Sequence, residues 1–263
     1  MITSHTNKGI KEVIQLEQKA KVRKEKGLFV SEGIKMFLEA PADRIEKVYT
    51  SLSFSEQMPA LCMDKLDSMS SLHEVVSDEV FKKMSDTTTP QGILCVLRQE
   101  RYSLESMLTT PAPLLVILED IQDPGNLGTI FRSGEGAGVT GIIMSSSTVD
   151  IYNPKTIRST MGSVYRMPFV YTENISNAIK ELQKRNITVY AAHLQGSKPY
   201  DVCDYTKGSA FLVGNESKGL KDETAANADV PIKIPMLGEV ESLNAAVAAS
   251  ILFYEAARQR RIG

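Results

Sequence analysis

Leu114-Leu115-Val116-Ile117-Leu118-Glu119, and shortly after it Asp123-Pro124-Gly125-Asn126-Leu127-Gly128-Thr129-Ile130-Phe131-Arg132-Ser133, decide the fold. The first run is short and almost wholly apolar, the mark of a strand buried on both faces. The second is a turn that opens a helix. The same strand character returns at GIIM (141–144), ITVYAA (187–192), AFLV (210–213) and around Ile232 to Ile234. Helices are predicted between them, over 126–137, 153–161, 175–185 and 242–261. Strands alternating with helices imply an α/β fold whose mostly parallel sheet is covered on both sides.

Upstream, residues 98–113 (RQERYSLESMLTTPAP) are charged, then polar, and end with two prolines. A domain boundary belongs there. The expected division is 1–105, with a linker to about 113, and then 114–263. In the first part a polar helix is predicted over 6–26, broken by Gly27, before a short strand at Leu28–Val30. A helix from Ser31 to Ala40 ends at Pro41. An apolar run at Ile45–Tyr49, a short helix over 77–85, the loop Thr87–Gly92 and a strand at Ile93–Leu97 complete a small α/β unit.

The 263 residues are 42% apolar and 24% charged, which excludes a disordered tail, a collagen-like fibre and a coiled-coil rod. No apolar run reaches the roughly 18 residues that span a bilayer, and the N-terminus does not read as a signal peptide. A cytoplasmic protein is expected. Cys62, Cys95 and Cys203, like His5, His73 and His193, are scattered, so neither a disulfide framework nor a metal site is predicted. The net charge of −2 does not argue for nucleic acid. Its distribution is uneven, however. Residues 8–26 carry Lys8, Lys11, Lys19, Lys21, Arg23, Lys24 and Lys26 against Glu12, Glu17 and Glu25, and Arg258, Arg260 and Arg261 lie near the C-terminus.

Three stretches could carry chemistry. In 123–133, the helix start suits anions, and Arg132 falls within the helix. Turn chemistry alone would also explain Asp-Pro-Gly-Asn. The second is Val213-Gly214-Asn215-Glu216-Ser217-Lys218-Gly219-Leu220, where glycines allow close approach of a ligand and Glu216 supplies a carboxylate at a strand end. An ordinary strand–helix turn is the bland alternative. The third runs from Ile234-Pro235-Met236 through Ser242-Leu243-Asn244 into a helix of small residues, with Ser242 the expected cap. Gly134-Glu135-Gly136-Ala137-Gly138 invites a nicotinamide-dependent oxidoreductase reading, but those glycines close a helix instead of opening one, and Gly138 suits a C-terminal cap.

Together and in this order, the three stretches resemble the signature motifs of the SpoU (TrmH-like) RNA ribose 2′-O-methyltransferases of the SPOUT superfamily. The resemblance covers about 114–261. It extends more weakly to Phe29-Val30-Ser31-Glu32-Gly33 and Thr89-Pro90-Gln91-Gly92, which are similar to the family's substrate-binding domain. It implies a ribosomal-protein-like N-terminal domain and a C-terminal domain with a deep trefoil knot, an exception to the usual connection rules. It also implies S-adenosylmethionine as cofactor, at Leu194, Gly214, Gly219, Ile234, Met236 and Leu243, and a homodimer. The implied catalytic set is Asn126, Arg132, Glu216, Ser242 and Asn244. Many members follow the last Asn with Val-Ser; here Ala245-Ala246 stand there, which removes a hydroxyl.

The implied reaction is in-line transfer of a methyl group to a ribose 2′-hydroxyl in RNA, ribosomal RNA before tRNA. A free guanidinium keeps its proton to above pH ~12, so Arg132 is a poor base. The resemblance nevertheless implies the central role for Arg132, helped by an RNA phosphate; holding that phosphate and stabilising alkoxide charge is an equally apt role. Asn126 is expected to orient Arg132 or the ribose, and Glu216 to pair with Arg132 or position RNA. Lys21, Arg23, Lys24 and Lys26, with Lys155 and Arg158 on one helical face, are the expected RNA contacts. The rival is an RNA-binding or ribosome-assembly protein with this fold and no catalysis.

Overall fold

A computed structural model describes residues 1–193 and 198–262. The N-terminal part forms α1 (Lys8–Gln18), α2 (Ala20–Lys26), β1 (Leu28–Glu32), α3 (Ile34–Glu39), β2 (Ile45–Ser51), α4 (Leu52–Glu56), α5 (Ala60–Asp67), β3 (His73–Val76), α6 (Asp78–Met84) and β4 (Ile93–Arg98). Then follow β5 (Leu114–Leu118), α7 (Pro124–Ala137), β6 (Gly141–Ser145), α8 (Pro154–Thr160), β7 (Phe169–Thr172), α9 (Ile175–Lys184) and β8 (Thr188–Ala192). The last elements are β9 (Lys198–Pro199), β10 (Ser209–Val213), α10 (Asp222–Ala225), β11 (Val230–Lys233) and α11 (Ala245–Ile262). The chain divides into two compact units. Met1–Glu100 together with Asp150–Tyr165 make the first, and Arg101–Val149 with the chain from Arg166 onward make the second.

In the first unit the sheet runs β1-β4-β2-β3, with β4 antiparallel to both neighbours and β2 parallel to β3. Ile10, Val13 and Leu16 recur at helical spacing on α1 and bury against Val80, Phe81 and Met84 of α6. The helix expected over 6–26 is in fact two. Lys19 is extended (φ −126°, ψ 107°), and the break lets Arg23 return to the end of α1. Arg23 Nη1 donates to the Leu16 and Glu17 carbonyls at 2.7 and 3.1 Å, satisfying acceptors that a helix end leaves open. Ser31 and Glu32 extend β1 instead of opening α3. Asp150–Tyr165, expected with the C-terminal half, belongs to this unit: Asp150 pairs with Arg23 at 2.7 Å, and Tyr165 Oη donates to Ser31 Oγ at 2.8 Å.

The second unit holds a seven-stranded sheet in the order β7-β6-β5-β10-β8-β11-β9, in which every described pairing is parallel. β5 and β10 are buried along their whole length, which accounts for their unbroken apolar sequences. Successive side chains serve opposite faces. Leu115, Ile117 and Leu212 join Ile175, Ile179 and Leu182 of α9 in one cluster, while Phe211 approaches Phe253 of α11 (ring centroids 6.3 Å apart). β7 and β9 were not anticipated; they are four and two residues long, too short to show a period. Gly138 ends α7 in the left-handed conformation (φ 81°), as expected of a cap. Among the described residues no helix is long and apolar enough to cross a membrane.

Candidate active site

Three loops leave the carboxyl ends of β5, β10 and β11, where ligands gather in parallel sheets. The first turns into α7 through Asp123, whose Oδ1 accepts the Asn126 N–H at 2.8 Å, with Pro124 in the first turn. Asp123, and not Asn126, is therefore the cap, and the Asn126 side chain is released for other bonds. In the second loop Gly214 is obligatory: a Cβ there would lie 2.3 Å from the Gly219 carbonyl carbon and the Leu220 nitrogen. The third loop ends at Asn244, whose Oδ1 accepts the Ala246 and Val247 N–H groups at 2.9 and 3.2 Å. Asn244 thus caps α11, which begins at Ala245. Ser242, the expected cap, is exposed in the loop before it.

These loops bring three of the expected residues together. Asn126 Nδ2 donates to Glu216 Oε1 at 3.0 Å, and Asn244 Nδ2 donates to Asn126 Oδ1 at 2.8 Å. Glu216 also accepts from the Gln122 and Asp123 N–H groups, at 3.2 and 3.1 Å. Partial burial pushes the Glu216 carboxyl up, but the Asn126 amide and the backbone N–H groups outweigh it and hold the carboxyl below its usual range. It is a fixed anionic clamp and a weak base. The expectation that Glu216 meets Arg132 is not what the structure gives: its bonds go to Asn126 and the backbone. Arg132 lies six residues beyond Asn126 on α7, exposed, its side chain making no hydrogen bond or ion pair to any described residue. Behind it Ser250 Oγ of α11 donates to Ser133 Oγ at 2.8 Å and fixes α7.

Beside this chain of amides lies a cavity of about 720 Å³. Gly214, Gly219, Ile234, Met236 and Leu243, the expected cofactor contacts, line it, and so do Glu216 and Ser242. Leu194 lies outside the described residues; its neighbour His193 lines the cavity. Leu220, Ile232, Ala245 and Leu252 give it an apolar, buried floor, while the loops add polar residues such as Asn215, Ser217 and Ser242. Its size and mixed lining suit a nucleoside-sized molecule.

The expected RNA contacts separate into two kinds. Lys21 and Lys24 are exposed, Lys21 lying 3.8 Å from Glu25, and Lys26 is exposed but bound to Glu12 at 2.7 Å. Arg23 is 4% exposed and does not belong to the patch: Asp150 and two carbonyls consume its guanidinium. Lys155 and Arg158 do share α8, and Arg158 pairs with Asp86 at 3.0 Å. Pattern reading missed the contacts made by Glu119, Asp120, Asn215 and Lys221 around the strand ends. The acidic pair closing β5 was the one visible hint.

A parallel α/β unit with an amide-held carboxylate, an exposed arginine and a nucleoside-sized cavity at its strand ends has the layout of an α/β enzyme domain that binds its ligand at the strand ends. The profile of the SpoU rRNA Methylase family matches residues 113–254, and that of the MRM3-like substrate binding domain matches 7–95. The chain belongs to the SpoU rRNA methylase family. It is 36% identical over 180 residues to the 23S rRNA (guanosine(2553)-2′-O)-methyltransferase RlmP of Bacillus subtilis, covering 68% of this chain and 70% of that one. An uncharacterised tRNA/rRNA methyltransferase of Synechocystis is 31% identical over 98% of this chain and 94% of its own. The crystal structure of an AdoMet-bound rRNA methyltransferase from Sinorhizobium meliloti is similar over 98% of this chain and 97% of that one, with a TM-score of 0.83 and 33% identity.

Proposed function

We propose that this protein methylates a ribose 2′-hydroxyl in ribosomal RNA, using S-adenosylmethionine held in the cavity between the 214–220 and 234–243 loops. The observation that carries the reading is the junction of that cavity with the Glu216–Asn126–Asn244 chain at the start of α7, the helix that bears Arg132. The relatives' names, and the cofactor bound in the Sinorhizobium structure, support the reaction class. Met1–Glu100 with Asp150–Tyr165 then serve as the RNA-binding unit, and Arg101–Val149 with the chain from Arg166 onward, covering most of the expected 114–263, as the methyltransferase unit. On the family pattern the latter carries a deep trefoil knot, and two copies associate in the cytoplasm as a homodimer.

The cavity fits the cofactor by size, apolar floor and polar loop residues. Gly214, Gly219, Ile234, Met236 and Leu243 would hold it, and when bound it supplies an electrophilic methyl group. The chain's own residues do the rest. Glu216 accepts from Asn126 Nδ2, which leaves Asn126 Oδ1 turned to Asn244, so neither side chain is set up as a strong base. The Arg132 side chain, unpaired among the described residues, is placed to grip an RNA phosphate with its planar fork and to stabilise charge growing on the 2′-oxygen, while that phosphate or water takes the hydroxyl proton as the methyl group passes from sulfur to oxygen. Ser242 shapes the cavity rim. Lys21, Lys24 and Lys26, with Lys155 and Arg158, supply phosphate contacts.

The test is transfer of labelled methyl groups from S-adenosylmethionine to ribosomal RNA from cells lacking the protein, mapped by resistance of the modified position to alkali. Arg132→Lys should lower single-turnover rate about 100-fold, because an ammonium lacks the fork. A near-normal rate in that variant refutes the role of Arg132. Label appearing in tRNA alone overturns the substrate assignment, and cofactor binding without transfer to any RNA favours a non-catalytic RNA-binding protein.

A further inference from the structure

We propose that Asp120 is a positioning residue: through its ion pair with Lys221 it latches the 215–221 loop, and so sets the cofactor cavity wall and the Glu216 clamp in register. The kinetic consequence rests on the methyl-transfer reading above; the latch itself does not. Asp120 follows β5 in the left-handed conformation (φ 58°), which few residues other than Gly, Asn and Asp adopt readily. All its polar groups are engaged. Its N–H donates to Ser145 Oγ at 2.9 Å, and its Oδ1 accepts from that hydroxyl at 2.7 Å. Oδ2 meets Lys221 Nζ at 2.7 Å. The carbonyl accepts from Asn215 Nδ2 at 2.8 Å and Gln122 Nε2 at 3.1 Å.

The preceding residue completes the hold. Glu119 is buried and accepts the Lys221 N–H at 2.9 Å and Thr224 Oγ1 at 2.6 Å. The loop is therefore fastened at Asn215 and at Lys221, both times to the last residues of one strand end. Between these anchors Glu216 reaches Gln122, Asp123 and Asn126, and Gly219 folds back against Gly214 to wall the cavity. A displacement of the loop would move the wall and the clamp together. The titration behaviour agrees: the hydrogen bond that Lys221 donates to Asp120 raises the Lys221 pKa, and for Asp120 burial pushes up but the bonds from Lys221 and Ser145 overcome it and lower the pKa.

Three variants of the full chain test this. Asp120→Asn tolerates the left-handed backbone, keeps an acceptor for Ser145 and removes the charge. Lys221→Met keeps the stem and removes the ammonium, and Lys221→Arg restores a cation. Calorimetry with S-adenosylmethionine should show Kd raised about 10-fold in the first two, the scale of one charge-assisted hydrogen bond, with RNA affinity unchanged. Lys221→Met loses Glu119 (3.7 Å) as well as Asp120, so the double variant should bind no more weakly than Lys221→Met alone, because Asp120→Asn breaks only a contact that Lys221→Met has already removed, and Lys221→Arg should bind within about twofold of wild type. Hydrogen exchange over 215–221 should speed up in Asp120→Asn and Lys221→Met alike. Unchanged exchange in both, or additive losses in the double variant, overturns the latch. A wild-type protein that neither binds S-adenosylmethionine nor methylates RNA defeats the proposed function, and the exchange result then decides the latch alone.

Discussion

Glu17→Gln should stabilise the first unit above neutral pH and change little in acid. Glu17 sits at the end of α1 with its Oε2 shielded from water and without a hydrogen-bond partner among the described residues. Burial, reinforced by Asp86 and Glu32 and opposed by Arg158 and Arg23, pushes its carboxyl up from 4.5 to about 8. Below pH 4.5 folded and unfolded chains both hold the proton, and the group costs nothing. Between 4.5 and about 8 the unfolded chain ionises while the folded one does not, so stability falls as pH rises through that window and levels off above it. At ~1.4 kcal/mol per pH unit the full penalty is ~5 kcal/mol. The carboxyl keeps some contact with water, which brings the working figure to ~2–3 kcal/mol. Urea unfolding followed by circular dichroism at pH 5 and pH 8.5 measures it, with carbon NMR titration of the Glu17 carboxyl as the direct check. A Gln variant no more stable than wild type at the higher pH, or a Glu17 carbon that titrates near 4.5, refutes the reasoning.

Three other perturbations separate roles that the sequence alone had merged. Arg23→Ala should cost ~3 kcal/mol of stability by stranding Asp150 and two carbonyls, and leave RNA affinity unchanged in the folded fraction; thermal melts and filter binding read the two effects apart. Gly214→Ala should weaken S-adenosylmethionine binding more than about 10-fold, since its Cβ meets backbone that cannot give way; calorimetry would show it. Lys21→Gln with Lys24→Gln should lower the salt slope of RNA binding by about 1.5–2, as two phosphate contacts are lost; an unchanged slope removes both lysines from the interface.

The strands and the three loops were legible because their signals are local. β5 and β10 read as buried strands from unbroken apolar runs, and Gly138 read as a cap because helix ends favour a left-handed glycine. The break at Lys19 was not legible, since nothing in the charged 6–26 stretch shows that Arg23 must fold back onto the end of α1. Ser242 and Asn244 are both good caps by type, and only the packed start of α11 chose Asn244. Arg23 looked like a surface cation among lysines, and its partner Asp150 lies in a segment far along the chain.

By itself, then, the sequence determined the alternating α/β architecture, the three strand-end loops and the family. Hydrophobic period, turn chemistry and motif spacing act over a few residues and survive in one dimension. Only the tertiary structure decided the pairings: Glu216 with Asn126 instead of Arg132, Asn244 with Asn126, Asp120 with Lys221, Arg23 turned inward. Each joins segments far apart in the chain. A side chain's hydrogen-bonding capacity is fixed by its type, but which partner fills it is fixed by tertiary structure: the parallel order of β5, β10 and β11 for the first three pairs, and the return of Asp150 to the first unit for Arg23.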